Sequence, residues 1–372
     1  MSSGLLAPPC HIVDLLSVTI FVMLVVLAGG LILLTALRVI LSRKEARLEA
    51  SKERIRPLVL DLLTREQDLE GAAWKVKHLV PAAEYSALEQ VLQENARIVK
   101  GPEMDILTHI FETMGYVDED IENVSSAKSI TKARSAFHLG IMGSKRAVPD
   151  LLKALDDPDE QVVFAALDSL AHIGTPEAIN GVMDFISGDR AIQNARVAEV
   201  VLEKKRAFAP LIRQRLVEGK YAPERLALLI DLAGAMHDAE AAPVLEGYLS
   251  GHEDSLRAKA ARSIGLTGDF TRCGILVSAL ADGSADVRAE AAESLGKLEC
   301  TDAIGPLARA VQDPELRVKM RAAVALTKLG EAGHAALTER LARAESQERG
   351  VVAEVLGTED VRRSGMPGVS PT

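Results

Sequence analysis

The chain has 372 residues, a formal net charge of −10 at pH 7 and only 3% aromatic residues. The negative charge argues against a general nucleic-acid-binding protein, which needs a basic surface to contact phosphates. The few aromatic residues, together with abundant alanine and leucine, favour closely packed helices over a β-sheet. Cys10, Cys273 and Cys300 are too few and too scattered for a disulfide framework, so we expect them to behave as small apolar residues in a reducing compartment.

The N-terminal region contains an uncharged apolar stretch of 23 residues, from Leu15 to Leu37. At about 1.5 Å of rise per residue, a helix of this length crosses a hydrocarbon core of about 30 Å. No Lys or Arg precedes the stretch, whereas Arg38, Arg43 and further basic residues follow it. The positive-inside rule therefore predicts a single transmembrane helix over 15–37, with residues 1–14 outside the cell membrane and the C-terminal bulk in the cytoplasm.

Two other interpretations of this stretch fit less well. A cleaved signal peptide needs a basic segment before a shorter apolar run and a small-residue cleavage site after it, and the sequence has none of these. A lipoprotein anchor at Cys10 is disfavoured because that cysteine precedes the apolar run. The basic juxtamembrane segment, 38–57, sets the topology and lies near anionic lipid headgroups. Its three glutamates argue against a dedicated lipid-recognition site.

The region 58–126 is less regular and is predicted to form an N-terminal helical cap. Pro57 precedes a short apolar helix at Leu58–Leu63. Two further helices are predicted over 84–99 and 104–114, each with apolar residues on one face, and Gly115 ends the second. We expect these helices to shield the first unit of the following array from water, as the ends of a repeat array require.

From about residue 127 an apolar residue recurs at intervals of 31, 32 or 62 residues. The recurring positions are Leu139, Leu170, Leu232, Ile264, Leu295 and Leu326, and a degenerate copy at Val200 or Val201 lies within the longest interval. Each unit is predicted to be a helical hairpin that is too small to bury its own apolar stripe. Stacking about seven hairpins over 127–344 buries a continuous core, which predicts an all-α solenoid. Residues 345–372 are predicted to hold a partial cap and a disordered tail.

The units DVRAEAAESLGKLECTDAIGPLARAVQD, at 286–313, and SITKARSAFHLGIMGSKRAVPDLLKALDD, at 129–157, resemble short HEAT repeats of the phycobilisome-lyase type. The order of one anchor, a basic segment, RIRPLVLDLL, IFETMGYVDEDI and then repeats also resembles bacterial inner-membrane HEAT-repeat proteins. This resemblance implies an α-solenoid at the inner membrane. It also implies an alternative function, because some such proteins are thought to accompany membrane glycosyltransferases: an accessory subunit of a polysaccharide-synthesising enzyme.

Catalytic motifs are not evident in the sequence, so we predict a protein that is not an enzyme and needs no metal or cofactor. Deoxyhypusine hydroxylase resembles these repeats and holds its iron with His-Glu dipeptides. The matching dipeptides of this chain have no histidine: Ala133-Arg134, Ala258-Lys259, Ala289-Glu290 and Met320-Arg321. A bilin lyase would need a partner subunit and a pigment. A HEAT-type lyase or a metal-dependent hydroxylase is therefore the less favoured alternative.

The predicted function is a membrane-anchored cytoplasmic scaffold or adaptor that binds another protein at the membrane and contacts the bilayer through its N-terminal helix. No nucleic acid or small-molecule substrate is expected as a partner. If the second helices line the concave face, the Arg309 position points toward the partner, and its counterparts are Lys153, Asp184, Gln214, Ser278 and Arg340. The degenerate third unit adds a basic patch of Lys204, Lys205, Arg206, Arg213 and Arg215. The arginines of the VR-type positions, Arg225, Arg257 and Arg288, are expected to pair with acidic corners as structural residues.

Overall fold

The computed structural model of the protein describes residues 10–65, 68–188 and 194–343. Over these ranges the chain forms nineteen α-helices joined by turns and short 3-10 helices, without a strand, which confirms the predicted all-α fold. The chain divides into two compact units, Met1–Glu119 and Asp120–Thr372, and each is described separately. The predicted partial cap and tail over 345–372 lie outside the described residues, as does most of the predicted segment 1–14.

The first unit begins with a single long helix, α1, over Cys10–Arg65. From Met23 onward this helix contains an exposed stretch with a mean hydropathy of 2.5, and its length and composition would allow it to cross a membrane. Pro57 lies inside α1. The expectation of a separate short helix at Leu58–Leu63 is therefore wrong: the apolar stretch, the basic segment and Leu58–Leu63 belong to one helix.

The end of α1 packs onto the shorter helices of the first unit, which are α2 (Leu69–Leu79), α3 (Tyr85–Ala96) and α4 (Pro102–Thr113). Ile55 and Val59 are buried in this contact. Lys52 is also buried, and its Nζ lies 2.6 Å from a carboxylate oxygen of Glu94 in α3. The hydrogen bond between them raises the pKa of Lys52 and lowers the pKa of Glu94. The last turns of the predicted juxtamembrane segment therefore belong to the core of this unit.

The second unit takes in the end of α5 (Tyr116–Val124) and then seven helix pairs in the described residues. The first helices of the pairs are α6 (Ser129–Met142), α8 (Glu160–Ile173), α10 (Asn194–Glu203), α12 (Pro223–Ala235), α14 (Asp254–Thr267), α16 (Ala285–Lys297) and α18 (Leu316–Lys328). The second helices are α7 (Val148–Ala154), α9 (Pro176–Ser187), α11 (Lys205–Glu218), α13 (Ala242–Tyr248), α15 (Cys273–Ala279), α17 (Ile304–Ala310) and α19 (Gly330–Arg343). All the recurring apolar positions of the first helices are buried, and Val201 fills that position in α10.

Backbone geometry marks the end of the first helices at the same position in six of the seven pairs. Gly143, Gly174, Gly268 and Gly330 have positive φ angles there. His237 and Glu299 occupy the equivalent position with φ angles of 55° and 53°. A left-handed residue at this point ends the helix and turns the chain toward the second helix. The 31-residue spacing of the sequence thus reflects one repeated turn.

The first helices of neighbouring pairs approach until their backbones touch. A Cβ atom added to Gly265 of α14 would lie 2.8 Å from the Cα of Ser294 in α16. Gly140, Gly234 and Gly296 have equivalent contacts below 3.0 Å with the next first helix. The hydroxyl of Ser294 donates a hydrogen bond of 2.9 Å to the carbonyl oxygen of Ala261. These first helices are called the tight row.

The second helices leave more room between them and are called the wide row. A Cβ atom added to Gly247, Gly274 or Gly305, in α13, α15 and α17, would meet nothing within 4 Å, whereas one added to Gly181 in α9 would meet the end of the Leu152 side chain in α7. The first helices therefore approach one another more closely than these second helices do. The premise that the second helices line a concave face stays a prediction.

Replacing Gly265 with alanine is expected to destabilise the array by about 1–3 kcal/mol, because the added methyl group must push two helix backbones apart. Gly247→Ala is the matched control: in open space, alanine is expected to be neutral or to stabilise the helix by up to about 1 kcal/mol. Urea unfolding of the full-length protein in detergent, followed by circular dichroism, measures both changes. Equal effects of the two substitutions would contradict the tight row.

Arginines of the tight row bind the acidic corners at which each pair is joined to the next. Arg257 donates two hydrogen bonds of 2.9 Å to the carboxylate of Asp282. Arg288 binds Asp313 in the same way, at 2.7 and 2.9 Å. These contacts confirm the structural role predicted for Arg257 and Arg288. Their hydrogen bonds lower the pKa of both carboxyl groups.

Cys273 and Cys300 depart from the expectation that they behave as small apolar residues. Cys273, at the start of α15, and Cys300, just before the turn Thr301–Ala303, form a disulfide between the fifth and sixth pairs. Asp238 and Asp269 occupy the equivalent position before the turn in earlier pairs and cap it with their carboxylates. The side chain of Cys300 makes no such cap. A covalent link thus replaces a polar cap at this corner.

Candidate partner-binding surface

Ion pairs join neighbouring first helices along the tight row. Lys259 of α14 binds Asp231 of α12. Arg321 of α18 lies 2.6 Å from a carboxylate oxygen of Glu293 in α16. In both pairs the cation follows the acid by 28 residues, so it comes from the next first helix. The charged groups of these two pairs are therefore engaged in contacts within the stack.

The third pair interrupts the tight row. Where Gly265 meets Ser294 in later pairs, the corresponding positions of α8 and α10 hold Ala171 and Val200. These larger side chains keep the two helix backbones from touching. An open groove of about 530 Å³ lies between the helices, lined by residues of α6, α8 and α10. The lining residues are Phe137, Gln161, Phe164, Ala165, Asp168, Arg196, Glu199, Val200 and Glu203.

The charges of the groove are not arranged as they are in the rest of the tight row. Asp168 and Arg196 are 28 residues apart, as are the two ion pairs above. The guanidinium carbon of Arg196 instead lies 4.1 Å from the centre of the Phe164 ring, in a cation–π contact. Asp168 is half-buried and has no ion-pair partner among the described residues. The groove is therefore acidic, with an aromatic wall.

Burial raises the pKa of Asp168, and the carboxylates of Glu203 and Glu199 raise it further, against the opposite influence of His172 and Lys204. A carboxylate that is partly desolvated and close to like charges is held at an energetic cost. Such groups are common where a protein binds a ligand of opposite charge. This groove is therefore the strongest candidate binding site in the described part of the second unit.

The predicted basic patch lies partly on the wide row, and several of its members contact the protein itself. Arg213 lies 2.5 Å from Asp238 and 2.7 Å from Glu240, which belong to the next pair. Arg215 binds Asp184 of the preceding pair. Lys204 lies 3.7 Å from Glu203, at the edge of the groove. Lys205 and Arg206 are exposed at the start of α11.

The Arg309 series also lies on the wide row. Arg340 donates a hydrogen bond of 3.1 Å to the carbonyl oxygen of Ala308 in the preceding pair. Lys153 is exposed and pairs with Asp150 at 2.8 Å. Arg309 is exposed. The structure thus does not bring the eight predicted residues together: Arg213, Arg215 and Arg340 link neighbouring pairs, and a partner-binding role of the set stays a prediction.

The sequence prediction missed the groove, although a signal for it was present. Val200 and Leu202 stand in the degenerate third unit where three other units have a serine (Ser169, Ser263 and Ser294) followed two residues later by glycine or alanine. Bulky residues at the two positions that allow close approach predict a gap in the row. The acidic residues beside them, Asp168 and Glu199, are one repeat apart and share a face of the stack.

The sequence model of the family described as HEAT repeats matches residues 121–202 and 273–357. No curated protein matches the chain. The match confirms the repeat type that the two quoted units resemble.

Solved structures with similar architecture include three proteins of different kinds. Human deoxyhypusine hydroxylase in complex with glycerol is 18% identical, with a TM-score of 0.30 over 76% of this chain and 97% of that chain. The complex of CpcE and CpcF of phycocyanin lyase from Nostoc is 18% identical, with a TM-score of 0.32 over 64% and 94%. The karyopherin Kap121p bound to the extreme C-terminus of the protein phosphatase Cdc14p is 12% identical, with a TM-score of 0.47 over 82% and 41%. At TM-scores below 0.5, none of these likenesses supports a conclusion about what this chain does.

Proposed function

This chain is a HEAT-repeat protein, and from that premise we propose that it is a non-catalytic scaffold or adaptor, anchored in the membrane, that binds another protein through its array. Stacked repeats offer an extended surface that suits a protein partner better than a small substrate. The observation that carries the proposal is the groove on the tight row, where half-buried Asp168 lacks an ion-pair partner among the described residues.

The membrane part of the proposal rests on α1. Its exposed apolar stretch is long enough to cross a bilayer. The basic residues that follow the stretch, beginning with Arg38, favour a cytoplasmic array at the inner membrane. The Cys273–Cys300 disulfide points the other way, because disulfides persist mainly in oxidising compartments.

We expect the full-length protein to resist carbonate extraction from membranes and a variant that lacks residues 1–37 to be released. A fluorescent protein that matures only in the cytoplasm, fused to the C-terminus, is expected to fluoresce. A reporter active only outside the cytoplasm, fused at the same point, serves as the control. Activity of that reporter instead would contradict the cytoplasmic assignment.

The scaffold itself is tested by purification from detergent-solubilised membranes. We expect one partner protein to copurify in a fixed ratio with the full-length chain. Preparations in which no protein copurifies in such a ratio would contradict the proposal. Under the alternative function, in which this chain is an accessory subunit, that partner is a polysaccharide-synthesising glycosyltransferase.

A further inference from the structure

We infer that the groove between α8 and α10 receives a cationic side chain, arginine or lysine, from a basic segment of the partner protein. This inference rests on the proposed function and names the chemistry of the partner. The groove is defined by Phe137, Phe164, Asp168, Arg196 and Glu199, with Glu203 at its rim.

On the tight row, an acidic residue of one first helix can bind a cation of the next first helix. Asp231 and Glu293 each bind a cation that lies 28 residues later, on the next first helix. Asp168 is an acid with a cation at the same distance in sequence, but the guanidinium of Arg196 lies over the Phe164 ring. The place that Lys259 fills beside Asp231 is therefore not filled beside Asp168 by any described residue. A cation from outside the chain can fill it.

The lining residues of the groove carry more negative than positive charge. Asp168, Glu199 and Glu203 contribute three carboxylates, and Arg196 is the single cation among the lining residues. Lys204 neutralises part of the rim through Glu203. An incoming cation would meet favourable charge on both helices, whereas an anion would meet repulsion. Charge complementarity therefore favours a basic segment over an acidic one.

The size and the walls of the groove suit a long side chain. A volume of about 530 Å³ is within the range of about 300–1,000 Å³ that is common for ligand sites. Phe137 is 41% exposed at one wall. The alkyl part of a long basic side chain packs on apolar walls while its charged end stays near carboxylates. Long basic side chains combine both features.

The test uses the full-length protein in nanodiscs, labelled with fluorophenylalanine, because the chain has only seven phenylalanines. Fluorine NMR then observes Phe137 and Phe164 in the groove, with exposed Phe270 as an internal control. The probes are N-acetyl-arginine amide and its uncharged isostere N-acetyl-citrulline amide. We expect the arginine probe to cause saturable shifts of the Phe137 and Phe164 signals, and the citrulline probe to cause none.

Asp168→Asn is expected to weaken binding of the arginine probe at least about tenfold, which corresponds to the loss of one charge-assisted contact. Because the ionised carboxylate is held at a cost, the same substitution is expected to leave the unfolding temperature unchanged or raised, which separates lost binding from misfolding. Glu177 is an exposed residue of α9 in the same pair. Glu177→Gln removes an equal charge outside the groove, and this variant is expected to bind the arginine probe like the wild type.

Equal shifts from both probes, no saturable shift, or unchanged binding by Asp168→Asn would each overturn the inference. The proposed function fails separately. If the partner copurifies equally with wild type and Asp168→Asn, the scaffold stands and the groove is not its site. If the arginine probe binds but no partner copurifies, the groove stands and the scaffold is contradicted.

Discussion

Replacing Asp313 with alanine is expected to destabilise the array by about 1–3 kcal/mol, the cost of leaving a partly buried donor without its hydrogen-bond acceptor. Only 13% of the Arg288 side chain and 9% of the Asp313 side chain are exposed. The substitution leaves the Arg288 guanidinium with the carbonyl oxygens of Asp282 and Gly283 and no carboxylate. It also removes the acceptor for the backbone N–H of Glu315.

Urea unfolding of the full-length protein in detergent measures this loss. Asp302→Ala is the matched control, because Asp302 is an exposed acid in the turn of the same pair. Its replacement is expected to change stability by no more than about 0.5 kcal/mol. If Asp313→Ala lowered the free energy of unfolding no more than the control does, the contact between Arg288 and Asp313 would not stabilise the array.

The same ion pairs give the stability a defined pH dependence. The pKa values of Asp282 and Asp313 are lowered in the folded protein, chiefly by hydrogen bonds from Arg257 and Arg288. Their contribution is therefore present above the unfolded pKa of about 3.9 and is lost as the pH falls through the lower folded values. In Asp313→Ala, we expect the acid-induced loss of stability to be smaller than in the wild type.

Reduction of the Cys273–Cys300 disulfide is expected to lower the stability of the array by about 3 kcal/mol, since the bond closes a loop of 27 residues in the unfolded chain. Cys300→Ala is expected to unfold at the same urea concentration with and without dithiothreitol. Cys10→Ala retains the disulfide and is expected to respond to dithiothreitol like the wild type.

The redox state in cells links this bond to topology. A cytoplasmic array would keep both thiols reduced in growing cells, and rapid alkylation of intact cells would label them. Protection of Cys273 and Cys300 from alkylation, reversed by a reductant, would contradict a cytoplasmic array. The same labelling of Cys10→Ala confines the signal to Cys273 and Cys300.

The sequence predicts the regular parts of this fold because the same physical constraint acts in every unit. Leu139, Leu170 and Leu295 recur because each hairpin must bury one apolar stripe against its neighbour. The pairing of Arg288 with Asp313 is predictable for a related reason: a charge at a repeated corner needs a repeated partner. The period alone, however, does not show whether Val200 or Val201 faces the core.

Other features depend on distances that the sequence does not contain. Cys273 and Cys300 lie in different pairs, and only the offset between successive hairpins brings their Cα atoms to 5.9 Å. The close approach of the first helices depends on backbone contact at positions such as Gly265. Small residues occur in both rows, so their number alone does not predict which row is the closer one. Asp168 lacks an ion-pair partner among the described residues because Arg196 contacts Phe164 instead, and side-chain placement decides that contact.

Site-specific photocrosslinking in intact membranes tests most directly whether the groove on the tight row of the array binds a partner protein. A benzoylphenylalanine at Gln161 lies in the groove, and one at Glu177 lies on the wide row of the same pair. We predict one discrete crosslinked product from position 161 and none of that size from position 177. The same product from both positions, or from position 177 alone, would contradict the account.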